Sequence, residues 1–170
     1  MIAFLLPEEQ HQHKNGGGWV ANTAIVEDSA FVGADAQVYG NAQVSGKAWV
    51  CGNAWVYGNA WVYSNAQVSG NARVYGNARL FGNARVYGNA LVYGNALVYG
   101  NAWKESPLYI QGSRHAVTNC AYGKLSIGCM ILTFSEWKKQ YKAIGKEQNY
   151  SAAQIKEYGA LIVLATKIGK

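Results

Sequence analysis

Residues 72–95 read ARVYGN ARLFGN ARVYGN ALVYGN, four copies of one six-residue unit. The unit continues in both directions. An aliphatic residue recurs every six positions from Val20, Val26, Val32 and Val38 onward to Leu80, Val86, Val92 and Val98, which makes fourteen uninterrupted hexads. Alanine stands four residues after each of them, from Ala24 to Ala102, and glycine and asparagine most often fill the second and third places, as in Gly40-Asn41 and Gly58-Asn59. The series stops where Lys104 replaces the next aliphatic residue.

A six-residue period fits no α-helix, whose faces recur at about 3.6 residues. It fits a coil of short strands that turns a corner once per hexad. Within A-x-V-Y-G-N, alanine and valine point inward, while x and tyrosine point outward. Glycine and asparagine take the corner, where a positive φ is commonly required and these two residues tolerate it best. Three hexads close one triangular turn, so residues eighteen apart stack at about 4.8 Å, the spacing of adjacent strands. The expected fold is a parallel β-helix, a triangular prism of about 4.7 turns spanning residues 19–103.

These tandem units, from Gly40-Asn41-Ala42 through Gly100-Asn101-Ala102, resemble the hexapeptide-repeat family, and the resemblance implies a left-handed coil. The regular V-Y-G-N-A form is similar to hexapeptide proteins carried by bacteriophages and prophages. The segment SPLYIQGSRH, Ser106 to His115, resembles a stretch of such phage-borne proteins. The family also implies a parallel homotrimer, with clefts between neighbouring prisms.

Residues 104–170 form a different object, a small α+β unit. Leu108–Gln111, His115–Cys120 and Lys124–Leu132 read as strands, with Gly112 and Tyr122-Gly123 as turns. Thr133 with Glu136, and Ser151 with Gln154, have the spacing of capping boxes, and Leu132/Trp137 and Tyr150/Ile155 the spacing of hydrophobic staples. Helices are expected at 134–147 and 152–167, the second carrying an apolar stripe of Ile155, Tyr158, Leu161 and Ile162. That stripe should cover the strands or the open end of the coil, since an uncovered coil end is a sheet edge. Residues 1–18 are expected to cap the other end, with Met1–Leu6 as the cap and Gly16-Gly17-Gly18 as a hinge.

The chain has 170 residues, 20 glycines, 2 prolines and a formal net charge of +6, and half of it is hydrophobic. It is long enough to bury a core, and wholesale disorder is excluded. No run of about 18 apolar residues is present, and Met1–Leu6 has neither a basic leader nor a cleavage site, so neither a membrane span nor a secretory signal is expected. Three cysteines, Cys51, Cys120 and Cys129, fit a reducing cytoplasm, that of a bacterial host if the protein is phage-borne. Through Trp103 five basic residues balance five acidic ones; from Lys104 onward ten basic residues face four acidic ones. The whole excess charge therefore lies in the tail.

Many hexapeptide-repeat proteins are acyltransferases with a histidine on or beside the coil, and others resemble γ-class carbonic anhydrases with histidine-held metal. Here no histidine occurs between His13 and His115, so the coil lacks that base and those ligands. His11, His13, His115, Cys120 and Cys129 match no established zinc spacing, and Cys120 and Cys129 read as small buried residues of the tail sheet. Asp28 and Asp35 read as turn residues. The expectation is a protein with no cofactor and no metal that acts by binding.

The outward columns carry that binding reading. Stacked at eighteen-residue intervals, the first face is Trp19, Gln37, Trp55, Arg73, Leu91 and the second Ile25, Gln43, Trp61, Arg79, Leu97. The third is Phe31, Trp49, Gln67, Arg85, Trp103. Arg73, Arg79 and Arg85 thus form a belt of one arginine per face, with Trp49, Trp55 and Trp61 an equivalent belt one turn earlier for two faces, and Tyr75 and Tyr87 alongside. Ladders of this kind stabilise strands by stacking alone. Exposed tryptophan, tyrosine and arginine are also what binding hot spots use. With Arg114 of the tail, these are the candidate partner-binding residues. They suit a nucleotide or a short cyclic oligonucleotide, with guanidinium groups on phosphates and rings on bases. Joined to the phage resemblance, the expectation is a sequestering protein that blunts a host defence signal. Alternatively the same surface, or Arg114 with Lys138, Lys139 and Lys142, grips a host defence protein. A structural phage module is a third reading, although a prism about 22 Å tall at about 4.8 Å per turn is short for a fibre. An acyltransferase-like enzyme comes last.

Overall fold

The computed structural model of the protein describes residues 9–169. Two compact units make up the chain. One comprises Met1–Asn95 with Tyr99–Ser106; the other comprises Ala96–Val98 with Pro107–Lys170. The expected Met1–Leu6 cap lies outside the described residues.

The hexads form a parallel β-solenoid of about five turns with three sheets. The first stacks Trp19–Ala21, Gln37–Val38, Trp55–Val56, Arg73–Val74 and Leu91–Val92. The second runs from Ile25–Val26 through Gln43–Val44, Trp61–Val62 and Arg79–Phe81 to Leu97–Tyr99. The third runs from Phe31–Val32 through Trp49–Val50, Gln67–Val68 and Arg85–Val86 to Ala102–Trp103. Up to Arg85–Val86 every residue pairs with the one eighteen positions later, as Gln37 does with Trp55. Hexads such as the one at 37–42 donate three backbone hydrogen bonds to the next level, Gln37 N to Ala54 O at 3.0 Å, Tyr39 N to Val56 O at 3.0 Å and Asn41 N to Gly58 O at 2.8 Å.

The inward positions are fully buried: Val32 to Val98 and Ala30 to Ala96 are all at 0–1% exposure. Burying one valine stabilises the coil by about 1.5–3 kcal/mol. Alanine takes the other inward position because two bulky columns would overfill so narrow a prism. At the corners, Gly40 and its equivalents have φ near +60 to +70°, and a Cβ on Gly40 would lie 3.0 Å from Gly58 N. Both the backbone angle and the closeness of the next level therefore demand glycine. Outside the corners, asparagines stack into ladders, such as Asn59 Nδ2 donating to Asn77 Oδ1 at 3.3 Å and Asn77 to Asn95 at 3.1 Å.

Two ends of the coil differ from expectation. At the start, Gln10–Gln12 pairs antiparallel with Trp19–Ala21, and Gly16 and Gly17 (φ +112° and +75°) make the turn between them. A Cβ on Gly16 would fall 2.3 Å from Val32 O, so the glycines are a packed hairpin turn and not a hinge. At the finish, the register slips by one residue: Arg85 pairs with Ala102 and Val86 with Trp103. Trp103 is therefore buried and Ala102 exposed, the reverse of their places in the column reading. Continuing the hexad would have turned Lys104 inward. Slipping by one inverts the pleat, inserts an indole in its place and leaves Lys104 in solvent. Gly100 and Asn101, both in the left-handed region (φ +58° and +56°), absorb the slip.

In the C-terminal unit, Tyr109–Gln111, Ala116–Ala121, Lys124–Ile127 and Met130–Thr133 form an antiparallel meander. The apolar run at 124–132, expected as one strand, is a hairpin. Gly128 (φ +61°) opens its two-residue loop, and Ile127 pairs with Met130. Helices α1 (Phe134–Glu147) and α2 (Ala152–Ile168) follow, each with a complete capping box on Thr133 and Ser151. Trp137, Tyr158, Ile162 and Ala165 pack on Val117, Leu125 and Ile127, so the α2 stripe covers the unit's own sheet. Trp137 also donates its indole N–H to Leu125 O at 2.9 Å.

Ser64 occupies a corner with φ +64°, where the other corners from Gly40 to Gly100 carry glycine. A non-glycine residue there carries left-handed strain. Ser64→Gly is expected to raise stability by about 0.5–1 kcal/mol after the entropy lost by the unfolded chain is counted. Thermal unfolding of the two proteins checks this; a lower melting temperature for the glycine variant would refute it.

Candidate functional site

The solenoid turns its sequence into rows of stacked side chains along each face. Tyr39, Tyr57, Tyr75 and Tyr93 stack in succession, with ring centroids 4.8, 4.9 and 5.5 Å apart and nearly parallel planes. Tyr63 stacks on Phe81 at 5.4 Å and Phe81 on Tyr99 at 5.5 Å. The spacing is that of the strands beneath, because each ring stands on the equivalent residue of successive turns. Such stacked pairs add about 0.5–1.5 kcal/mol each beyond the area they bury.

The arginine and tryptophan belts join the same stacking. Arg73 lies over the Trp55 ring at 4.5 Å and Arg79 over Trp61 at 4.9 Å. Both guanidinium-bearing residues remain exposed. Arg85 differs, because its neighbours along the sheet are Gln67 and Ala102. Trp49 stacks on Phe31 at 3.9 Å and meets Gln67 on its other side. Tyr75 is held inside its ladder, whereas Tyr87 stands next to Arg85 on the third face and is 37% exposed. The first two faces thus present guanidinium and ring edges. The third presents the Trp49–Gln67–Arg85 column, in which no second aromatic ring covers the upper side of Trp49.

This geometry limits what the faces can do. Rings 4.8–4.9 Å apart leave no room for a third ring between them. A planar ligand would have to stack at the end of a row or lie against ring edges. The N–H groups around the rim of a stacked guanidinium remain directed outward, where they suit an anion.

Arg114 belongs to the other unit and has a local role. It donates from its guanidinium to Gln148 O at 3.0 Å and Asn149 O at 3.3 Å, and lies 4.9 Å from the Tyr150 ring. It therefore clamps the C-terminus of α1, where unpaired carbonyls attract a cation. The Arg114–His115 backbone is held by the Tyr158 hydroxyl, which accepts from Arg114 N at 3.0 Å and from His115 N and donates to His115 O at 2.8 Å. A Cβ on Gly112 would fall 2.7 Å from that hydroxyl, so the motif around Arg114 has a packing reason. His115, Cys129, Gln148 and Tyr150 line a cavity of about 50 Å³ with apolar walls from Met130, Trp137 and Ile162, a site that the sequence did not single out.

Cys129 is exposed, contrary to its expected burial, because it occupies the hairpin loop. Cys120 is buried as expected, and burial pushes its thiol up to about 11, so it is protonated at neutral pH and poorly suited to nucleophilic attack. Among the described residues no group of three or more histidine, cysteine, aspartate or glutamate side chains is placed to hold a metal ion. No described helix is long and apolar enough to cross a membrane.

Tyr39 is pushed up to about 12, first by burial and then by neighbouring Tyr57; the Arg73 charge acts the other way. Tyr57 is raised for the same leading reason. A phenol with a raised folded pKa contributes stability that is present below its unfolded value near 10 and lost as pH rises through the folded value. Stability is therefore expected to fall between about pH 10 and pH 12 as the ladder ionises. Phenolate absorbance should show a late-titrating group that Tyr39→Phe removes. Tyrosines that all titrate together near pH 10 in the folded protein would contradict the ladder's burial.

The model of the YdcK β-solenoid repeat family matches the chain over residues 36–52, 66–82, 78–92 and 90–104. No curated protein and no solved structure matches it. Repeat and fold together make the chain a β-solenoid repeat protein, similar along those segments to the YdcK repeat.

Proposed function

We propose that the protein acts by binding and not by catalysis, and that its solenoid faces take up a phosphate-bearing ligand, a nucleotide or a short cyclic oligonucleotide. The observation that carries this reading is the pair of exposed guanidinium groups stacked on tryptophan, Arg73 on Trp55 and Arg79 on Trp61. Stacking restricts each side chain before a ligand arrives, which lowers the entropy cost of binding. It leaves the planar N–H rim for bidentate contact with phosphate. Tyr87, which lies outside the aromatic rows and is 37% exposed, is the ring best placed to receive a base, while Trp49, between Phe31 and Gln67, offers its exposed edge. In a phage-borne protein, as the repeat and the Ser106–His115 segment suggest, such a surface would sequester a nucleotide signal of host defence. A host defence protein gripped by the same faces is the competing partner.

Calorimetry against a panel of linear and cyclic nucleotides tests the reading. Saturable binding is expected, weakened by roughly tenfold or more in the Arg73→Ala/Arg79→Ala variant. Arg73→Lys should also weaken it, since lysine keeps the charge but loses the planar fork. A panel with no binder removes the ligand reading and leaves the protein partner, for which a pull-down is the direct assay.

A second reading rests on the apolar surface itself. Ile25, Trp49, Trp61 and Leu91 are 62, 45, 40 and 37% exposed on faces of a single chain. Packing of prisms side by side would cover such faces, and a homotrimer is the proposed assembly. Light scattering is expected to give three times the chain mass, and a monomer at micromolar concentration would end this reading.

A further inference from the structure

Helix α2 is apolar on more than one side. Tyr158, Ile162 and Ala165 are buried against the unit's own sheet, yet Val163, Leu164 and Ile168, on another side, are 49, 46 and 58% exposed. A helix that is hydrophobic around much of its circumference belongs in an interior, and this one has a covering layer on one side only. On the uncovered side an open groove of about 660 Å³ runs between α1 and α2. Small residues shape its floor: a Cβ on Gly159 would fall 2.7 Å from the Tyr141 ring, and Ala160 continues the row.

The groove has a charge as well as a shape. Lys142, Lys156 and Lys167 stand around it, all exposed, and no acidic side chain lines it. Two carboxylates of the unit are engaged elsewhere. Glu136 accepts from the Thr133 backbone N–H and hydroxyl, and Glu157 from the Ser113 backbone N–H and hydroxyl. Apolar contact and three unneutralised cations thus converge on one concave strip. The segment from Ala152 to Lys167 is about 22 Å long at about 1.5 Å per residue, room for about four turns of a second helix.

We infer that the α1–α2 groove is a docking site for an acidic amphipathic helix of a partner protein. Leucine-like anchors would seat on Val163, Leu164 and Ala160, and flanking carboxylates would meet Lys142, Lys156 and Lys167. Charge complementarity selects the sign of the partner, and concavity selects a helical segment over a flat bilayer. The site uses none of the solenoid's arginines, so it stands or falls separately from the nucleotide reading.

The test uses the full chain and fluorescence anisotropy with two labelled peptides of about sixteen residues. Both carry leucines on one face, with glutamates on the other face in the first and lysines in the second. The acidic peptide is expected to bind with a Kd on the order of micromolar, and the basic one at least about tenfold more weakly. Leu164→Asp should weaken the acidic peptide by about tenfold or more. The Lys142→Glu/Lys156→Glu/Lys167→Glu variant, changed only at exposed positions, should reverse the preference. Equal binding of the two peptides, no binding of either, or binding to phosphatidylserine vesicles in place of the acidic peptide would each overturn the proposal.

Discussion

The hydrogen bonds that join each hexad to the residues eighteen positions later constrain the solenoid more than any side chain does. They set the height of a turn, and through it the 4.8–4.9 Å spacing within the first part of the tyrosine ladder and the 4.5–4.9 Å approach of arginine to tryptophan. They also bring corners such as Gly40, Gly58 and Gly76 so near the next level that a Cβ would press on backbone. Valine and alanine columns supply the driving force inside, but the ladder determines which neighbour each residue can have. The surface rows are consequences of that spacing. Any ligand meets side chains already ordered by the backbone beneath them.

The hexads were legible because their period belongs to no other regular structure and the aliphatic positions never miss. The last turn was not, because its register depends on a competition that a repeat count cannot express. Extending the pattern would bury Lys104, and the chain turns Trp103 inward instead. Capping boxes at Thr133 and Ser151 gave the helix starts, since their chemistry is local. The hairpin at Gly128 was hidden in a continuous apolar run, where the alternation that separates strand from turn is weak. The N-terminal pairing of Gln10–Gln12 depends on a contact with Trp19–Ala21 that polar residues do not advertise.

For the candidate site, sequence spacing gave the columns correctly through Arg85 but not the condition of each member. The belt of one arginine per face consists of two guanidinium groups stacked on tryptophan and a third beside Gln67, as the columns place them, but the exposure and stacking of each side chain are not written in the spacing. Arg114 illustrates a different limit. Its basic character is visible in the sequence, but its engagement with the Gln148 and Asn149 carbonyls depends on a helix end more than thirty residues away. Helical spacing marked the stripe of α2 that packs on the sheet, but nothing in it foretold that Val163, Leu164 and Ile168 stay exposed on another side.

Pairing at a fixed offset also gives the coil a permissive relation to length. Removing or adding eighteen residues within the regular repeats leaves each later residue on its own face and changes only the level at which it stands. A change of six residues keeps every valine and alanine inside but moves all later outward residues to a neighbouring face. If the change falls between Trp61 and Arg79, Arg79 would then stand over Trp55 or Gln67 in place of Trp61. Gain or loss of hexads can therefore reshuffle the surface without disturbing the interior, a route by which a solenoid of this kind acquires new faces while its packing is conserved.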